Sequence, residues 1–72
     1  MRFKDLRMLS NARYYDLEVY SKDGGSRVIA NLDVEDRAHK VKLYSFADAE
    51  VVRFQPIITE DGFPALEVEL NV

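Results

Sequence analysis

Few residues of this chain could do covalent chemistry. His39 is the only histidine and there is no cysteine. Disulfides and thiolate sites are therefore absent, and a metal centre would lack ligands. Two carboxylate pairs, Asp48 with Glu50 and Glu60 with Asp61, are of the right type for acid–base work. The first falls on a short helical turn and the second in a tight turn, where acidic residues serve conformation. Neither has the buried surroundings that tune a carboxyl for catalysis. Gly24-Gly25 reads as a hairpin turn, without the strand–loop–helix setting of a phosphate cradle. A lone histidine at a strand start is read as structural or solvated. The expectation is a protein with no catalytic residues, no metal and no cofactor, and so not an enzyme.

Binding chemistry is better represented. Tyr20, Arg27, Ile29, Tyr44 and Phe46 combine the aromatic, cationic and apolar side chains that dominate protein contacts. Tyr14, Lys40 and Lys42 extend the set toward an alternative, in which rings stack single-stranded bases and cations meet phosphates. Whether these residues share a face depends on the elements that carry them.

The strongest element is residues 51–70, VVRFQPIITEDGFPALEVEL. Glu60-Asp61-Gly62 supplies a turn ending in glycine, so Thr59 faces Phe63. Outward from there Pro56 meets Leu66, Phe54 meets Val68 and Val52 meets Leu70, with Gln55–Glu67 and Arg53–Glu69 on the other face. A slip of one residue would oppose Gln55 to Leu66 and Phe54 to Glu67.

A second hairpin joins residues 13–21 and 26–34. Taking Asp23-Gly24 as a two-residue turn pairs Val19 with Val28, Leu17 with Ala30 and Tyr15 with Leu32. A three-residue loop that set Leu17 against Asn31 and Glu18 against Ala30 would spoil the apolar face. Continuing across the polar link 35–38, with Val34 facing His39, gives a third strand in which Val41 meets Leu32 and Leu43 meets Ala30. Its outer rows then read Tyr20–Arg27–Phe46, Glu18–Ile29–Tyr44, Asp16–Asn31–Lys42 and Tyr14–Asp33–Lys40, which assembles the binding set on one sheet face. Residues 2–10 fit a short helix with Phe3, Leu6 and Leu9 inward and Met8 on the flank.

The fold class that follows is α+β, mainly β. One domain over residues 1–72 holds a five-stranded antiparallel meander, its strands short enough to curl into a partly open barrel. A short N-terminal helix lies on the apolar face. The expected core is Tyr15, Leu17, Val19, Val28, Ala30, Leu32, Val41, Leu43, Val52, Phe54, Leu66, Val68 and Leu70. A dozen such residues barely outrun the chain entropy, so help from a second copy or a partner is expected.

Apolar content of 47% with 32% charge describes an ordinary globular chain. The charge of −3 divides unevenly: residues 1–44 carry +2 and residues 45–72 carry −5. A pI near 5.0 with Asp16, Glu18 and Asp33 on the same face counts against nucleic acid. No run is long enough to span a membrane and the N-terminus has no signal-peptide pattern, so the cytoplasm is the expected location.

The runs Lys4-Asp5-Leu6, Asp16-Leu17-Glu18-Val19-Tyr20 before an Asp-Gly turn, Ala49-Glu50-Val51-Val52-Arg53-Phe54 and Leu66-Glu67-Val68-Glu69-Leu70 resemble a group of small proteins. These are encoded on prophages and conjugative elements of Firmicutes. The resemblance implies an accessory or host-interaction protein, the company in which many inhibitors of bacterial defence systems are found. That group offers no catalytic residues to carry over. Together these readings point to a non-enzymatic protein-binding or accessory module, acting on a protein partner or a second copy of itself, including as a homodimer.

Overall fold

The computed structural model describes all 72 residues. The elements run α1 (Phe3–Leu9), β1 (Tyr14–Tyr20), β2 (Ser26–Asp33), α2 (Arg37–Ser45), β3 (Glu50–Ile58) and β4 (Pro64–Asn71). The four strands form one mixed sheet in the order β2-β1-β4-β3. Both hairpins are antiparallel, while β1 and β4 lie side by side in parallel. The five-stranded antiparallel meander is therefore replaced by a four-stranded mixed sheet with two helices on one face.

The missing strand is α2. Val41-Lys42-Leu43-Tyr44 alternates as a strand would, but Asp36 caps a helix there. Its Oδ1 accepts the His39 backbone N–H at 3.0 Å, satisfying one of the donors a helix start leaves free. No Gly or Pro interrupts residues 37–45. Once helical, Leu43 turns inward and is fully buried, whereas Val41 and Tyr44 turn outward. His39 ties the helix to the sheet, its Nδ1 accepting the Asp33 N–H at 3.0 Å.

The β3–β4 hairpin has the expected pairing at Phe54–Val68, Pro56–Leu66, Arg53–Glu69 and Gln55–Glu67. Gly62 takes φ +87 in the turn, the left-handed region glycine enters freely. One correction falls at the far end, where Leu70 pairs with Val51 and Val52 is the extra residue of a bulge.

The first hairpin is corrected near its turn. Tyr14–Asp33 and Tyr15–Leu32 pair as expected, but Leu17 meets Ile29, Glu18 meets Val28 and Val19 meets Arg27. The loop is the three residues Lys22–Gly24, closed by the Ser21 N–H donating to the Gly25 carbonyl at 2.9 Å. Gly24 has φ +90. The one-residue offset is absorbed by a bulge between Tyr15 and Leu17. There Asn31 adopts φ +58 and its N–H donates to Asp16 Oδ1 at 2.7 Å. Because side chains alternate, the shift swaps faces. Val28 and Ala30 leave the core, and Arg27 and Ile29 move to the helix side.

The core lies between the helices and the sheet. Tyr15, Phe3, Leu17, Leu43, Leu70 and Val68 are its most buried side chains, each aliphatic one worth about 1.5–3 kcal/mol relative to exposure. Phe3 meets Tyr15 edge to face, with ring centroids 5.5 Å apart. Phe46, Ala49 and Ala65 join the core, unforeseen from pattern. Of the expected core, Val28, Ala30, Val41, Val52 and Phe54 are exposed. Leu9 is exposed too, because three-residue spacing drifts about 60° per step around a helix.

The start of α1 is fastened by main chain. Phe3 and Lys4 donate their N–H groups to the carbonyls of Ala49 and Ala47, each at 2.9 Å, and Val51 N–H donates to the Met1 carbonyl at 2.9 Å. Arg2 bridges to Glu50. The first residues thereby cover the outer edge of β3 at its beginning.

Candidate protein-contact site

The five expected contact residues do not assemble on one face. Tyr20 lies on the open side of the sheet, its hydroxyl donating to Glu69 Oε1 at 2.7 Å. Ile29 packs against the core on the opposite side. Phe46 caps α2 and is buried. The Arg27 guanidinium stands over the Phe46 ring, 5.7 Å from its centroid. Tyr44 is broadly exposed on the outer surface of α2, and Arg27 is exposed too, on the helix side of the sheet. The cause is twofold, a helix in place of the third strand and a one-residue shift in the first hairpin.

The base-stacking set is also divided. Tyr14 sits on the sheet against Phe63, their centroids 5.4 Å apart, whereas Lys40 and Lys42 project from α2 in the other layer. Across the central strands Asp16 lies beside Glu67 and Glu18 beside Glu69. A sheet face carrying those carboxylates repels a phosphate backbone.

What the structure does bring together is Tyr44 with α1. The Arg7 guanidinium lies 5.4 Å from the Tyr44 ring centroid, within cation–π range. Lys4, Arg7, Met8, Tyr44 and Ala47 line an open groove of about 280 Å³ between the helices. Met8 is 85% exposed and Tyr44 66%, with Val41 exposed nearby on α2. Aromatic side chains, Met and Arg are the types enriched in protein interfaces. The sequence holds a signal for Met8: it is an apolar residue outside the inward stripe of Phe3 and Leu6. For Arg7 no signal exists, since its ring partner comes from a different helix.

Electrostatics concentrate on the open sheet face. Glu69 accepts from Tyr20 and from Arg53, and those bonds hold its carboxyl below the usual range. The same bond pushes the Tyr20 hydroxyl up to about 12. Gln55 donates to Glu67 at 2.9 Å. Asp33 is held low by the Glu35 N–H and by Arg13. No group of three or more His, Asp or Glu side chains could hold a metal ion. No helix is long and apolar enough to cross a membrane.

No family model, no curated protein and no solved structure matches the chain. The fold itself is that of a small two-layer α+β domain, with helices on one side of a four-stranded mixed sheet.

Proposed function

We propose that this chain is a non-enzymatic protein-binding module of the cytoplasm. It works as an accessory protein of the kind its resemblance to mobile-element proteins implies, and its contact surface is the α1–α2 groove. The observation that carries this reading is the exposed Tyr44–Arg7–Met8 cluster. The Tyr44 ring keeps only the Arg7 guanidinium as a neighbour on its exposed side, and the Met8 thioether stands 85% exposed beside it. Desolvating them against a partner gains roughly 25 cal/mol for each Å² of apolar surface removed from water.

The test is comparative capture from a cell extract with immobilised protein. Tyr44→Ala combined with Met8→Ser removes the cluster without touching the core. Glu67→Gln on the open sheet face serves as control. Loss of a co-purifying protein from the double variant, with retention by the control, is the expected result. An identical set of captured proteins on all three defeats the reading. Titration with short single-stranded nucleic acid supplies the contrast: binding that weakens as salt rises would replace this function with the alternative.

A further inference from the structure

The helical cover ends before the sheet does. On β4, Leu66, Val68 and Leu70 are buried beneath the helices. Their partners on β3, Pro56 and Phe54, point to the same side and stay in water. Phe54 is 48% exposed, and Ile58, further along the same face, 68%. This row runs into an open groove of about 560 Å³ between the loop Ser10–Arg13 and the β3–β4 hairpin, walled by Pro56, Leu66, Phe63 and Pro64. The residues that wall it share none with the groove beside Tyr44.

We propose that this strip docks a second copy of the same chain, face to face about a two-fold axis. The choice of occupant follows from charge. A two-fold contact sets a patch against itself, so the patch must carry no unbalanced like charges. Residues 54–59, Phe-Gln-Pro-Ile-Ile-Thr, contain none. The one cation lining the groove, Arg13, is held by Asp33 and Glu35 at 3.3 and 3.1 Å, and neither carboxylate lines the groove itself. The open sheet face carries Asp16, Glu18, Glu67 and Glu69 against Arg53 alone and stays acidic, and the helical side carries Arg7, Lys40 and Lys42 besides the Lys4–Asp48 pair. A charged foreign partner, conversely, would find nothing on the strip to pair with.

The contact is made by faces rather than by strand addition. Pro56 has no N–H to donate, and the hairpin register turns its nitrogen away from β4, since Thr59, Ile57 and Gln55 are the residues in bonding phase with that strand. Met1 and Arg2 already occupy the edge beside Glu50 and Val51. A standard interface takes about 800 Å² from each partner, close to a sixth of this molecule's 5008 Å². A half-exposed phenylalanine offers only about 75–125 Å². The strip therefore belongs at the small end of specific interfaces, where association is expected in the micromolar range.

Light scattering or sedimentation of the full chain over about 1 μM to about 1 mM brackets that affinity. The mass should climb from 8.3 kDa toward twice that value, with no loss of dimer at high salt. Phe54→Asp should hold it at the monomer mass with an unchanged circular dichroism spectrum. Ile58→Asp, at a more exposed site, repeats the test should Phe54→Asp disturb folding. Tyr44→Ala should dimerise normally, which separates this proposal from the function assigned to the helical groove. Three outcomes overturn it: a monomer throughout, a dimer indifferent to both aspartates, or a dimer dispersed by salt. The last would mean acidic sheet meeting cationic helices.

Discussion

Glu69 shows how one side chain couples the open face to pH. Its folded carboxyl titrates below the ordinary value because Tyr20 and Arg53 donate to it. Its contribution to stability is complete above the unfolded pKa, 4.5, and is lost as pH falls through the lower folded value. Tyr20 works in the opposite sense, since its neutral hydroxyl is the donor. That contribution is complete below 10.0 and disappears as pH rises toward about 12. Urea midpoints measured against pH should therefore fall at both ends. Tyr20→Phe should flatten the alkaline limb and move the acid limb up toward that of an ordinary glutamate. An NMR titration placing the Tyr20 ring at 10.0 would contradict this.

Among the elements, α2 depends most on a single side chain. Its only buried residue is Leu43, so packing alone anchors it weakly and the Asp36 cap carries unusual weight. Asp36→Ala should cost about 1 kcal/mol and Asp36→Ser much less, read as a shift in urea midpoint at constant slope. The same cap explains why the helix is hard to see in the letters. Val41-Lys42-Leu43-Tyr44 satisfies a period of two, and one Asp before it outweighs that pattern only with a sheet nearby to bury Leu43. The β3–β4 hairpin is legible because its turn glycine and its alternation agree. The first hairpin is legible at Tyr14 and Tyr15 and misleading toward the turn. Asp-Gly favours a two-residue loop, yet Ser21 closes three residues and Asn31 takes up the difference. The same two differences spread the expected contact residues over both sides of the sheet, with Arg27 and Tyr44 exposed.

At the scale of the molecule, nothing local announces that β1 lies parallel to β4. Both read as half-buried strands, and their neighbour relation is decided by which assembly covers Leu17 and Val68 together. Since they are the two central strands, amide exchange should be slowest in Leu17, Val19, Val68 and Leu70. It should be faster along β2 and β3 and fastest at the two hairpin turns. Equal protection across all four strands would mean that the sheet opens as a single unit.

The parallel joint also governs how the molecule comes into being. Each hairpin can close over a handful of residues, but Leu66 must find Tyr15 across fifty-one positions. Neither hairpin owns a finished interior before that meeting. Assembly is thus a search between two preformed halves, and its speed is set by the entropy of closing that long loop rather than by turn formation. During that interval the greasy sides of both ribbons stand open to any neighbour, and crowding in the synthesising cell bears hardest on this protein then.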